Sequence, residues 1–250
     1  MCYKRGRMSA VIIPARYGST RFPGKVLADI DGKPMIVRVA EQAVQTSADK
    51  VIVVTDNEKV YDVCSNIDKV NVMMSPSDLS TGTDRVAFAA KNIDDDIIIN
   101  VQGDEPFIPP LLIEQLIQGL KADKSLKMIT ACVPFADINN SENPSAVKVI
   151  LDKDNYAVYF SRYPIPYNRD NIEGVIRYRH IGIYGFRRDY LFEFASQERT
   201  YLEKCENLEQ LRAVENGVKI KVVKTDYNPL SVDTLEDLQN ILKILDMRNK

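Results

Sequence analysis

The first half of the chain alternates short β-branched runs with longer amphipathic stretches. The runs "SAVIIPA", "KVIVVT", "VNVMMS" and "DIIINVQ" are bounded by turn residues or charge, which predicts buried strands. Between them, Pro34 to Gln45, Asn57 to Ile67 and Asp84 to Asn92 carry apolar residues at helical spacing, among them Met35, Val39 and Val44. Parallel strands need long crossovers, and a helix is the usual one. The alternation therefore predicts an α/β fold: a Rossmann-like, mostly parallel sheet with helices on both faces. Ligands of such sheets collect at the carboxyl ends of the strands.

After residue 127 the rhythm changes. "MITACVPF", "AVKVILD" and "YAVYFSR" follow closely on one another, and "LDKDNYAV" holds a turn that predicts a hairpin. "RYPIPYNRDNIEG" is a polar loop, "RHIGIYGFR" another strand, "YLEKCENLEQLRAVENG" one helix closed by Gly217, and "KIKVV" a strand. "TLEDLQNILKILDMR" is a last helix, with Thr234 as N-cap and Asp237 at its third position. The second half thus adds a small antiparallel β lobe to a single domain spanning residues 1–250, divided as 9–126, 127–230 and a C-terminal helix within 231–250.

The stretch "IIPARYGSTRFPGK" leaves the first strand and packs Arg16, Arg21 and Lys25 together with Gly18, Ser19 and Gly24. Glycines let backbone N–H groups approach an anion, while guanidinium forks and an ammonium neutralise phosphate oxygens. It is no Walker A loop: five residues separate Gly18 from Gly24, and Val26 follows Lys25 where a hydroxyl would hold magnesium. G-x-G-x-x-G is also absent, which disfavours a nicotinamide-dependent oxidoreductase.

Charge and composition narrow the chemistry further. A net charge of −2 over 250 residues gives no global attraction to a nucleic acid polymer or a membrane surface. The apolar stretch behind the basic N-terminus runs only from Val11 to Ala15, too short for a signal or a span, so a cytoplasmic protein is expected. Cys2, Cys64, Cys132 and Cys205 lack zinc or redox spacing and are expected as free thiols. The single histidine, His180, excludes imidazole-rich metal sites. Any metal must then sit on carboxylates. Asp104 and Glu105 lie just past the fourth strand, and Asp233 precedes the last helix; Asp104 and Asp233 are candidates for Mg²⁺, and the local sequence reads Asp233 equally as a helix N-terminal acid favoured by the dipole. The run Asp94 to Asp96 is expected to be a solvated turn.

The motifs "PARYGSTRFPGK", "STGTDR", "NVQGDEP", "NPSAVKV", "YFSR", "HIGIYGF", "LEQLR" and "VDTLEDL" stand in an order that resembles the 3-deoxy-D-manno-octulosonate (Kdo) cytidylyltransferases, the CMP-Kdo synthetases, over residues 9 to 246. The resemblance implies a Mg²⁺-dependent reaction of CTP with Kdo giving CMP-Kdo and diphosphate for lipopolysaccharide synthesis, usually in a homodimer. It assigns Arg16 and Lys25, with Ser19 and Arg21, to the triphosphate; Thr83, Arg85 and Gln102 to the nucleotide; and Asp104 and Asp233 to the metal. Arg162, His180, Tyr184, Glu209 and Gln210 match the sugar-acid pocket, with His180 as a hydrogen-bond donor. By the same resemblance residues 9–126 are the nucleotide half, 127–230 the sugar-acid and dimerisation lobe, and the last helix completes the metal site. Leu235 stands where proline is common, and Asn168 to Val175 is shorter than in several members. Rival readings are a cytidylyltransferase for 8-amino-Kdo or sialate, and a non-catalytic nucleotide-binding protein.

Overall fold

Every residue of β1 (Ser9–Pro14) is buried, and its side chains alternate between two apolar cores. The computed structural model describes residues 8–18 and 22–248; Ser19 and Arg21 of the basic loop, and Cys2, fall outside them. After β1 come a single helical turn at Lys25–Leu27, the short pair β2 (Asp29–Ile30) and β3 (Lys33–Pro34), and α1 (Met35–Val44). The first half continues with β4 (Lys50–Thr55), α2 (Glu58–Ser65), β5 (Val70–Met74), α3 (Gly82–Ala90), β6 (Ile97–Asn100) and α4 (Pro110–Ala122). The second half holds β7 (Met128–Pro134), β8 (Lys148–Leu151), β9 (Ala157–Ser161), β10 (Tyr178–Arg187) and α5 (Arg188–Ser196). Then follow α6 (Tyr201–Glu206), α7 (Leu211–Glu215), β11 (Ile220–Lys224) and α8 (Leu235–Arg248).

One nine-stranded sheet runs β11-β7-β10-β6-β1-β4-β5, with the β8–β9 hairpin attached to β10. Val11 and Ile13 face α1, α2 and α4, while Ala10 and Ile12 face α3 and α5, so helices cover both faces as the alternation predicts. Full burial of each such Ile or Val contributes roughly 1.5–3 kcal/mol, which fixes the register of the central strands. β1 pairs in parallel with β4 on one side and β6 on the other. The chain reverses its direction of winding there, and a crevice opens at the carboxyl ends of β1 and β6.

The second half is less separate than the sequence suggests. β7 and β11 continue the parallel sheet, and β10 is antiparallel between β6 and β7. With β10, the β8–β9 hairpin supplies the antiparallel part of the second half. The predicted helix over 201–217 is two helices instead. Asn207 adopts the left-handed conformation (φ 50°) and stops α6, and the chain turns before α7; asparagine is among the few residues that tolerate that geometry. The Asp94–Asp96 run also departs from expectation: Asp95 is buried and pairs with Lys50 Nζ at 2.5 Å, while its neighbours stay exposed. Cys64 and Cys132 are buried free thiols and Cys205 is an exposed one.

Candidate active site

Two adjoining clefts open at the β1/β6 crevice and share Asp104 and Asp233. The first, a cavity of about 260 Å³, is lined by Arg16, Lys25, the turn Ser80–Gly82 at the start of α3, Arg85 and Gln102. Gly24 leads into Lys25 with a left-handed backbone (φ 71°), a geometry that costs glycine nothing. Gly103 passes so close to β1 that a Cβ would stand 3.0 Å from the Pro14 carbonyl oxygen. Both glycines therefore bring their neighbours into the crevice.

Lys25 is the centre of this cleft. Its Nζ donates to Asp104 Oδ2 at 2.6 Å, to Asp233 Oδ1 at 3.0 Å and to the Val232 carbonyl at 3.2 Å. Burial would lower its pKa, but the two carboxylates outweigh that and hold the ammonium above its ordinary value. Two carboxylates from distant parts of the chain thus converge on one cation. Among the described residues no cluster of three or more metal-ligating side chains forms. A pair of hard oxygen donors is what Mg²⁺ needs, because it fills its remaining positions with phosphate and water. The donor set fits that ion.

Arg16 is exposed beside this arrangement. Arg85 lines the cleft but is buried, with Nη2 on Asp56 Oδ2 at 2.8 Å and Nε on Ser75 at 3.0 Å. Asp56 also accepts from the Tyr17 backbone N–H at 3.2 Å. Arg85 therefore fixes the start of the basic loop through Asp56, a residue that sequence reasoning missed. Its signal was present: Asp56 is the first charge after the buried run "VIVVT". Gln102 donates to Asn100 Oδ1 at 3.1 Å and faces the cleft. α3 starts with a capping box in which Thr81 Oγ1 accepts from the Asp84 N–H and Asp84 Oδ2 from the Thr81 N–H, each at 3.0 Å.

The second cleft, about 240 Å³, is lined by His180, Gly182 and Tyr184 of β10, together with Leu208, Gln210, Glu105 and Arg179. Despite a bulge in β10 between Ile181 and Tyr184, the rings of His180 and Tyr184 lie 5.5 Å apart. Tyr184 donates its hydroxyl to Gln210 Oε1 at 3.1 Å, and burial pushes its pKa upward. The amide nitrogen of Gln210 is buried with no hydrogen-bond partner among the described residues. An orphaned buried donor costs about 1–3 kcal/mol, which sets Gln210 apart among the side chains lining this cleft.

His180 is neutral, because burial drives its pKa down to about 3. Its Nε2 lies 2.9 Å from Thr130 Oγ1, which is itself 2.7 Å from the Ile183 carbonyl. The one hydroxyl proton of Thr130 goes to a carbonyl, so the network assigns the imidazole proton to Nε2, donated to Thr130. Nδ1 is left as an acceptor. The donor role expected of His180 belongs to the other tautomer, in which Nδ1 carries the proton and Nε2 accepts from Thr130.

Glu209 and Gln210 lie in the turn between α6 and α7. Glu209 accepts from the Thr83 hydroxyl, and burial raises its pKa; the two form a contact behind the clefts. Thr83, assigned to the nucleotide, is thereby committed to Glu209. Arg162 lies elsewhere. Its guanidinium donates to the carbonyls of Glu206 (2.7 Å), Pro144 (3.0 Å) and Asn207 (3.3 Å), stitching the end of β9 to the α6 terminus outside both clefts. Arg179 is the guanidinium in the second cleft, next in sequence to His180 and unrecognised from sequence because its strand neighbours drew attention to the aromatic positions.

The sequence matches the cytidylyltransferase family over residues 10–220. A curated 3-deoxy-manno-octulosonate cytidylyltransferase from Trichlorobacter lovleyi is 45% identical over 238 residues, covering 91% of this chain and 94% of that protein. The chain belongs to the 3-deoxy-manno-octulosonate cytidylyltransferases. A solved CMP:2-keto-3-deoxy-manno-octonic acid synthetase complexed with CTP is 37% identical and superposes with a TM-score of 0.91 over 96% of this chain and 99% of that one. A 4-diphosphocytidyl-2C-methyl-D-erythritol synthase from Anaerococcus prevotii, at 17% identity and a TM-score of 0.66, shares the fold over 96% of this chain and 97% of its own. No described helix is long and apolar enough to cross a membrane.

Proposed function

We infer that the protein transfers a cytidylyl group from CTP to Kdo, giving CMP-Kdo and diphosphate. The observation that carries this reading is the pair of clefts meeting at Asp104 and Asp233, one cationic and one lined by buried hydrogen-bonding groups. The anomeric hydroxyl of the sugar attacks the α-phosphorus of CTP in line, and diphosphate leaves with the electrons of the broken P–O bond. Such a transfer depends on positioning and charge stabilisation and needs no protein nucleophile. Arg16 and Lys25 neutralise the triphosphate, with Ser19 and Arg21 in the same loop. The α3 first turn and Gln102 orient the nucleotide. Mg²⁺, held by Asp104 and Asp233, supplies Lewis-acid polarisation of the phosphate oxygens when bound.

On the sugar side, Gln210 donates through its unpartnered amide, Tyr184 holds that amide in place, and His180 Nδ1 accepts from a sugar hydroxyl. Arg179, rather than Arg162, is the cation beside that cleft, suited to the sugar-acid carboxylate. Cytoplasmic location and a homodimer belong to the same reading. The loop after β9 exposes Tyr163, Tyr167, Ile172 and Ile176, apolar side chains that a second copy would cover; sedimentation velocity of the full chain reads the dimer directly.

Diphosphate release from each of the four nucleoside triphosphates, with and without Kdo and Mg²⁺, tests the reaction. Release is expected only with CTP, Kdo and the metal together. Equal release with 8-amino-Kdo or sialate would move the sugar assignment, and release without any sugar acid would overturn it.

A further inference from the structure

Asp233 reaches the clefts on a segment, residues 225–234, that has no regular secondary structure. Its depth is set by Val232, whose side chain packs with Ile30, Met35, Leu238 and Ile241 and whose N–H donates to the Asp104 carbonyl at 3.1 Å. The residues around it are held as well, the Asp233 N–H donating to Asp237 Oδ2 at 3.0 Å and the Val232 carbonyl accepting from Lys25 Nζ at 3.2 Å, so what still needs a hold is the irregular approach from Thr225 to Ser231.

Glu105 supplies that hold. It is 6% exposed and stands next to Asp104. Its Oε1 accepts from the Ser231 hydroxyl, and its Oε2 accepts from the Tyr227 hydroxyl at 3.1 Å. Arg179, whose charge is attracted to Glu105, reaches the same segment from its other side, with Nη1 3.3 Å from Asn228 Oδ1 and 3.5 Å from the Pro229 carbonyl. Both carboxylate oxygens of Glu105 are therefore engaged by the segment that carries Asp233.

We propose that Glu105 is a positioning residue that holds Asp233 opposite Asp104 by gripping Tyr227 and Ser231, so that the two carboxylates form one cation site. The proposal rests on the reading of Asp104 and Asp233 as metal ligands. Glu105 acts through Asp233 and does not touch the ion. Consecutive residues at the end of β6 thus divide the work: Asp104 binds, and Glu105 aligns the second binder.

The test is Mn²⁺ titration by electron paramagnetic resonance in the presence of CTP, with hydrogen exchange at the Val232 amide as a metal-free readout. Glu105→Ala should weaken Mn²⁺ binding by about tenfold or more, as loss of an outer-shell partner commonly does, and should accelerate Val232 exchange. In an Asp233→Asn background the same change should cost less than about twofold, because the ligand it aligns is gone. Tyr227→Phe and Ser231→Ala, which each remove one grip, should shift both readouts in the same direction by smaller factors, and they keep the test decisive if Glu105→Ala fails to fold. Unchanged Mn²⁺ affinity in the Glu105, Tyr227 and Ser231 variants, an equal loss in the Asp233→Asn background, or a rise confined to the KM for Kdo would overturn the proposal. If Asp233→Asn alone binds Mn²⁺ like the parent protein, the metal assignment itself fails, a result separable from the others.

Discussion

The two clefts meet at the same pair of carboxylates yet are built from opposite materials. The first is cationic and open, with an exposed Arg16 and a lysine bridging two acids, and it is assembled from loops that follow parallel strands. The second relies more on uncharged hydrogen-bonding side chains, an imidazole, a phenol and an amide held on an antiparallel strand and a broken helix, with Arg179 and Glu105 as charges of its own. A triphosphate is recognised by charge, which tolerates some freedom in the donors. A polyhydroxylated sugar is recognised by the count and direction of hydrogen bonds, which requires rigid ones.

The largest expected effect lies where the clefts join. Lys25→Ala and Asp104→Asn should each lower kcat for diphosphate release by at least about 10²-fold at saturating Mg²⁺, the usual cost of losing one preorganised charge-stabilising group. Near-parental turnover in either would break the contrast at its centre. In nucleotide-free protein, Lys25→Ala should also tighten Mn²⁺ binding, since the ammonium that engages both acids is gone. Next, Gln210→Ala should raise the KM for Kdo by roughly 10- to 100-fold while leaving the KM for CTP within about twofold; a matching rise for CTP would show that the clefts are not separable.

A smaller effect comes from salt. Raising ionic strength from about 0.05 to about 0.5 M should increase the KM for CTP severalfold and that for Kdo by a lesser factor, because screening acts on exposed charge more than on buried dipoles.

The smallest concerns His180, whose native pKa of about 3 lies below its ordinary 6.5. Between those values the unfolded chain carries the proton and the native one does not. Stability therefore falls as pH drops from about 6.5 towards 3. His180→Gln should flatten that part of the acid-unfolding curve, and kcat should show no imidazole limb above pH 5. An imidazole titrating near 6.5 by NMR would contradict the burial of His180.

The same contrast explains which parts were legible in the sequence. Alternating runs such as "KVIVVT" report burial on both sheet faces, so the parallel core and the crevice beside "PARYG" and "GDE" could be read directly. Asp104 was legible because charge placed just past a buried strand has few structural uses, Lys25 because it closes a loop dense in glycine and cations, and Asp233 through the motif order that the family resemblance supplies. The second cleft depends on details that no periodicity encodes. The break at Asn207 is a backbone choice of one residue, overriding a helical pattern that runs through it. The commitment of Arg162 to three carbonyls depends on where the ends of β9 and α6 meet. Burial of Asp95 follows from Lys50 on the neighbouring strand pair, a partner 45 residues away. His180 meets its ring partner, Thr130, on a strand that only folding brings alongside.

β10 lies between β6 and β7, and through it the second cleft is woven into the same sheet as the strands that carry the first. Cutting the backbone near residue 126 would leave β6 with an open edge in one fragment and β10 with an unpaired side in the other. Unpaired edges of that kind invite aggregation. The fragments would be complementary pieces of one object, soluble and active only after reassociating along the β6–β10 seam.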